Sequence, residues 1–177
     1  MIKRKQSNLQ AETPLLKSEL PIMISACLLG THCRYDGQHS FCPSLLDFVS
    51  FIPIIPFCPE QLGGLPTPRP CSDIRGGDGR DVLSGNAKVI NLEGKDVTDA
   101  FIKGAEETVK LTRITGAKIA IMKDKSPSCG LRTPYCDKLS GTGIGVTAAL
   151  FESRGIKMIE LGSNDTFPTQ DFLEMIN

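Results

Sequence analysis

Short apolar runs, each closed by a turn, alternate along this chain with polar or helical stretches. Residues 21–26 are apolar, partly β-branched and followed by a glycine-containing turn, which predicts a buried strand. Residues 51–57 predict a second strand, although Pro53 and Pro56 would remove ladder donors. Short strands are expected at 82–83 and 87–91, with Ser84-Gly85-Asn86 as the turn between them. The best helical pattern comes next. Phe101, Ala105, Thr108, Val109 and Thr112 recur at helical spacing, Thr98 or Asp96 can cap the start, and Gly116 suits the end. Residues 117–122 and 156–160 predict further strands, and residues 42–48, 143–154 and 171–176 further helices, the first opened by Pro43. Strands alternating with helices imply an α/β fold: a single Rossmann-like domain with a mostly parallel sheet flanked by helices. The domain is expected over residues 21–177, with residues 1–20 as a polar N-terminal extension.

Three cysteines sit just past such runs: Cys27 and Cys58 directly, Cys129 a few residues after the strand expected at 117–122. If the runs are parallel strands of one sheet, the three sulfurs converge on the crevice at the strands' carboxyl ends, where open α/β sheets bind ligands. Three thiolates in one crevice would make a metal or iron–sulfur site that lacks a fourth protein ligand. All-thiolate ligation from distant positions suits zinc or an iron–sulfur cluster.

Composition narrows the rest. The 177 residues suit one domain with a real core. Lys+Arg and Asp+Glu both number 20, so there is no basic excess for a nucleic acid polymer, though a small nucleobase remains open as a substrate. The longest apolar stretch, residues 21–30, is too short to span a bilayer, and no hydrophobic region follows the basic Lys3-Arg4-Lys5. No membrane and no signal peptide are therefore expected. An odd count of 7 cysteines argues against a disulfide framework and makes a reducing cytoplasm the default.

Two irregular segments carry most of the candidate chemistry. Residues 59–80 lack periodicity and hold four prolines and five glycines; a long irregular segment in a compact domain is usually functional. It begins with Cys58-Pro59-Glu60, which puts a thiol and a carboxylate two residues apart at a strand end, and continues with Gly63-Gly64, where backbone can approach a ligand. The bland alternative is a rigid proline turn with Glu60 on the surface. The second segment contains Lys123-Asp124-Lys125-Ser126-Pro127-Ser128-Cys129-Gly130, where lysines near the thiol would favour its thiolate. Cys27 itself could be a buried structural thiol. Cys33 and Cys42 could serve as ligands or simply pack, while Cys71 and Cys136 are expected to be non-ligating. His32 and His39 read as solvated loop residues. Gly76-Gly77-Asp78-Gly79 is expected neither to follow a strand nor to precede a helix, and so fails as a phosphate cradle. Gly141-Thr142-Gly143-Ile144-Gly145 opens a helix. It could hold an anion or mark close packing.

Taken together, these motifs resemble a known family. The ordered series Ser-Ala-Cys-Leu-Leu-Gly at 25–30, Cys-Arg-Tyr-Asp-Gly at 33–37, Cys-Pro-Glu-Gln-Leu-Gly-Gly-Leu-Pro-Thr-Pro-Arg at 58–69, Gly-Gly-Asp-Gly at 76–79, Lys-Ser-Pro-Ser-Cys-Gly at 125–130 and Gly-Val-Thr-Ala-Ala at 145–149 is similar to a small domain family whose characterised members are thiouracil desulfurases. The resemblance implies a [4Fe–4S] cluster held by Cys27, Cys58 and Cys129 with its fourth iron free. It implies Glu60 as the acid/base carboxylate, and Ser126, or else Ser128, as a polar catalytic partner. Cys71, Ile144 and the loop 131–140 depart from the pattern. Two readings follow. One is an enzyme that exchanges the sulfur of a small thiolated heterocycle for oxygen without net electron transfer. The other is a non-catalytic zinc or iron–sulfur binding or sensing module. Oligomeric state is not legible.

Overall fold

The structure, a computed structural model, describes residues 20–49 and 52–176. Apart from Leu20, the N-terminal extension expected at 1–20 lies outside the described residues, as do the first residue of the strand expected at 51–57 and the end of the chain. Four strands form one parallel sheet: β1 (Ile22–Ser25), β2 (Ile54–Phe57), β5 (Ile119–Lys123) and β6 (Lys157–Leu161), in the order β2-β1-β5-β6. Helices α1 (Pro43–Val49), α4 (Thr98–Thr115), α5 (Val146–Ser153) and α6 (Gln170–Ile176) flank it. This is the expected mixed α/β domain.

The period of two along β1 divides the core. Ile22 and Ile24 face Leu45 and Val49 of α1, Ile121 and Ile159 of the neighbouring strands, and Phe172 of α6. Met23 faces the other way, toward Ala120, Met122, Val109 of α4 and Phe151 of α5. The proline problem in β2 resolves through position. β2 is an edge strand, and Pro56, paired with Ile24 in register, is exposed, so no interior ladder loses a donor.

The segment read as irregular is where expectation and structure part. Residues 59–80 contain a one-turn helix, α2 (Pro59–Leu62), and strand β3 (Ser72–Arg75), which pairs antiparallel with β4 (Lys88–Asn91) in a separate two-stranded sheet. The strand expected at 82–83 is instead part of helix α3 (Gly79–Leu83). Two apolar residues cannot distinguish a period of 2 from one of 3.6. The capping box decides: Arg80 N donates to Asp78 Oδ1 at 2.9 Å and Asp78 N to Asp81 Oδ2 at 2.9 Å. The glycine-rich 76–79 therefore does follow a strand and precede a helix, contrary to expectation. It is still no phosphate cradle, because Gly76 N donates to Asp137 Oδ2, Asp78 N to Asp81 Oδ2 and Gly79 N to the Ile144 carbonyl. In α4, Phe101, Ala105, Thr108, Val109 and Thr112 are all buried as the spacing predicts, Asp96 accepts the Thr98 N–H, and Gly116 closes the helix in the left-handed conformation.

Helix α2 lies against α4 with no room for a side chain at two points. A Cβ on Gly104 would stand 2.0 Å from the Pro59 carbonyl oxygen, and one on Gly63 would stand 2.0 Å from that of Ala100. This backbone-to-backbone seat fixes the segment that carries Cys58 and Glu60. Substituting Gly104→Ala should destabilise the protein by about 1–3 kcal/mol through overpacking, read as a lowered urea midpoint. A midpoint equal to wild type would contradict the tight seat.

Candidate functional site

The carboxyl ends of β1, β2 and β5 are adjacent, because β1 is paired on both sides. The chain leaves β1 toward β2 on one side and later returns to β5 on the other, so the sheet reverses direction at β1. A crevice at such a reversal is the usual ligand position. Cys27 lies in the 3-10 turn Ala26–Leu29 directly after β1, Cys58 is the residue between β2 and α2, and Cys129 lies in the loop after β5. The structure brings all three together. Cys27 packs with Cys33 and Cys58 in one cluster, and Cys129 is close enough to Cys58, Cys33 and Glu60 to interact with each electrostatically.

Cys33 makes a fourth thiol in this cluster. Its side chain interacts with those of both Cys27 and Cys58, while the Cys58 thiol also donates to the Cys33 carbonyl at 3.6 Å. Crowding and burial act on these groups together. Hydrogen bonding with Cys27 is the main cause that pushes the Cys33 thiol up to about 12, opposed by Cys58 and reinforced by burial. Cys58 is pushed up by its hydrogen bond with Cys33, then by burial. Burial pushes Cys129 up to about 12. Burial dominates at Cys129, and Lys123, one of the lysines expected to favour its thiolate, pairs with Asp124 instead.

The loop around Cys129 is built by hydrogen bonds rather than by periodicity. Ser126 Oγ accepts the N–H groups of Ser128 at 3.2 Å and Cys129 at 3.0 Å. Ser128 is fully buried, its hydroxyl 2.9 Å from Thr147 Oγ1 on α5. The first N–H groups of α5 are taken by this loop: Val146 donates to Pro127 O and Thr147 to Ser128 O, both at 2.9 Å. Those donors hold the loop in place and leave no anion site at 141–145. Gly145 permits the contact, since a Cβ there would stand 2.5 Å from Ser128 O. Ser25 joins the two central strands at this point. Its Oγ accepts the Lys123 N–H at 3.0 Å and hydrogen-bonds the Cys129 thiol.

Glu60, on the first turn of α2, is held rather than free. Arg69 Nε donates to Glu60 Oε2 at 2.7 Å. The same guanidinium donates from both Nη1 and Nη2 to the Cys33 carbonyl at 3.2 Å, and from Nη1 to Pro66 O and Thr67 Oγ1 at 3.2 Å. Arg69 is 9 % exposed, so one buried cation ties the carboxylate to the cysteine cluster. Sequence reasoning placed Arg69 at the end of a motif but gave it no role. It likewise passed over Ser25 and Gly104. An arginine nine residues after a carboxylate was the available signal.

The remaining candidates disperse. Cys42 is buried in the opposite core, its sulfur 3.5 Å from Ser44 Oγ and from Asp165 O. Cys136 bonds to Thr133 O, and Cys71 is half-buried by β3. His32 and His39 are exposed and meet edge to face at 4.8 Å. An open cleft of about 320 Å³ is lined by Asp78, Arg80, Arg132, Lys138 and neighbours, but shares no residue with the cysteine cluster. Its cations are paired with Glu152, Glu160 and Asp81. Among the described residues no helix is long and apolar enough to cross a membrane.

The fold and site define a class: a parallel α/β domain with a buried thiol centre at the strand ends. The sequence profile of the 2-thiouracil desulfurase family matches residues 22–161, and the chain belongs to that family. An uncharacterized protein of Bacillus subtilis (strain 168), YbbK, is 41% identical over 141 residues, 78% of this chain and 93% of that protein. A solved structure of a [4Fe-4S]-dependent thiouracil desulfidase, TudS, is 37% identical, covers 80% of this chain and 90% of its own, and superposes with a TM-score of 0.65.

The thiol environment has a measurable consequence. In metal-free protein, alkylation of Cys33 and Cys129 should still climb roughly tenfold per pH unit between pH 9 and 10, because only the thiolate reacts and both groups titrate near 12. An ordinary cysteine peptide levels off over that range. Mass-resolved labelling that levels off at both positions would contradict the assigned environment.

Proposed function

We propose that this chain is a non-redox desulfurase acting on a small thiolated heterocycle of the thiouracil type. The observation that carries the reading is the meeting of Cys27, Cys58 and Cys129 at three adjacent strand ends, with Glu60 beside them. The donor set fits an iron–sulfur cluster: the thiols are soft, mostly buried and contributed by separate strands. Membership of the 2-thiouracil desulfurase family and the likeness to TudS support the same reading.

A [4Fe–4S] cluster held by Cys27, Cys58 and Cys129 would supply a Lewis-acidic iron to polarise a carbon–sulfur double bond and retain the sulfur as sulfide. The protein's own residues would do the rest. Glu60, with Oε2 fixed by Arg69, takes a proton from the water that attacks the ring carbon. The Ser126 oxygen receives two backbone N–H groups, which leaves its O–H as a donor to orient water or substrate. The fully buried Ser128 instead holds the loop to α5, so of the two serines Ser126 is assigned the catalytic partnership. Water oxygen replaces sulfur on carbon, sulfur leaves as sulfide, and no electrons are transferred. All seven cysteines are free, which suits a cytoplasmic, reducing compartment.

Glu60→Gln keeps the side chain's shape and can still accept from Arg69. Anaerobically prepared Glu60→Gln should retain wild-type iron and sulfide but lose about 10²–10⁴-fold in thiouracil turnover. Full activity would remove Glu60 from the reaction. Zinc without iron or sulfide in the wild type would favour the non-catalytic binding or sensing module.

A further inference from the structure

Glu60 serves the proposed reaction only if one of its oxygens faces the attacking water and stays there. We propose that Arg69 is the positioning residue for this step: it pins Glu60 through Oε2 to the loop that follows Cys27, and so makes Oε1 the oxygen that takes the proton. This rests on the desulfurase reading and deepens it by one residue and one atom.

A glutamate side chain is long and rotamer-rich, so a place on the first turn of α2 does not by itself aim its carboxylate. Arg69 supplies the aim. Among the described residues its Nε is the hydrogen-bond donor to that carboxylate, at Oε2 and 2.7 Å, and Oε1 keeps its lone pairs for a proton. The guanidinium is itself held at its other nitrogens. Nη1 and Nη2 each donate to the Cys33 carbonyl at 3.2 Å, and Nη1 also donates to Pro66 O and Thr67 Oγ1 at 3.2 Å. The Arg69 main-chain N donates to Tyr35 O at 2.8 Å. Gln61, the neighbour of Glu60, donates from Nε2 to the same Thr67 Oγ1 at 2.9 Å. A closed frame therefore runs from α2 through residues 66–69 to Cys33, which packs on Cys27 and Cys58. The place of the carboxylate relative to the thiol centre is set by one planar cation with a rigid fork.

Stability alone is a weak reason for this pair. The side chains of Arg69 and Glu60 are 5 % and 15 % exposed, so both charges have lost most of their water, and apolar residues of similar volume often stabilise a fold as well as a buried ion pair does. What apolar residues cannot supply is a fixed direction for a carboxylate. Nor can a lysine at position 69 supply it fully, since its single nitrogen on a flexible stem lacks the fork that joins Glu60 to the Cys33 carbonyl.

The test compares anaerobically prepared full-length wild type, Arg69→Lys, Glu60→Gln and the double variant for iron and sulfide content and for thiouracil turnover, with crystal structures of wild type and Arg69→Lys. Arg69→Lys should retain wild-type iron and sulfide, lose roughly tenfold or more in kcat with KM changed less than about twofold, and show the Glu60 carboxylate in more than one orientation. In the Glu60→Gln background the same substitution should cost no further turnover, because Arg69 acts through the carboxylate. A wild-type kcat in Arg69→Lys would overturn the proposal. So would an equal further loss on top of Glu60→Gln, which would place the action of Arg69 elsewhere, and so would loss of iron and sulfide from folded Arg69→Lys, which would make Arg69 a support of the thiol centre. Each of these leaves the desulfurase reading intact. Iron-loaded wild type that does not turn over thiouracil would overturn both together. Should Arg69→Lys fail to fold, Arg69→Gln, which buries no cation, is read in the same cycle and decides.

Discussion

Parallel pairing on both sides of β1 is the constraint from which the site follows. Because β2 and β5 run with β1 in register, three carboxyl ends lie side by side, and Cys27 and Cys58, 31 positions apart in sequence, come close to Cys129, 71 positions beyond Cys58. No local motif could achieve this, since the chain holds no Cys-x-x-Cys pair. The sheet acts as a jig: alternate residues of β1 bury the two faces, and its end presents whatever residues come next. The cost is burial of several polar sulfurs, and their titration shows it. Crowding and loss of water hold Cys33 and Cys129 protonated in the metal-free protein. Any metal centre bound there must expel those protons, so loading is coupled to pH and strengthens as pH rises.

A second layer holds the jig's attachments. Gly63 and Gly104 let α2 touch α4 backbone to backbone, and the N–H groups that open α5 close the Cys129 loop. Arg69 then joins Glu60 to the Cys33 carbonyl. These contacts use groups that are rigid once folded: main-chain amides, glycines and a planar guanidinium. A site meant to hold reacting groups in fixed relation calls for such supports.

Much of this was legible in the sequence, for reasons that can be named. The buried strands and α4 carry period-two or helical apolar patterns long enough to read, and the cysteines mark their ends. Segment 59–80 was not legible. Its helix is one turn long, its strand is four residues, and its prolines and glycines suppress any period. Residues 82–83 were misassigned because two apolar residues fit either period, and the deciding capping box lies in Asp78 and Asp81. The role of Arg69 escaped for a different reason. It depends on contacts across separate loops, which spacing along the chain does not encode, and for Cys33 the sequence left ligation and packing both open.

The central claim is that Cys27, Cys58 and Cys129 converge to hold one iron–sulfur centre. Diffraction from crystals of the anaerobically prepared protein, recorded on both sides of the iron absorption edge, tests it most directly. The account predicts a compact group of iron peaks, with three irons each bonded to one of those three sulfurs. Iron located elsewhere, or a cluster that leaves Cys129 unbonded, would contradict it.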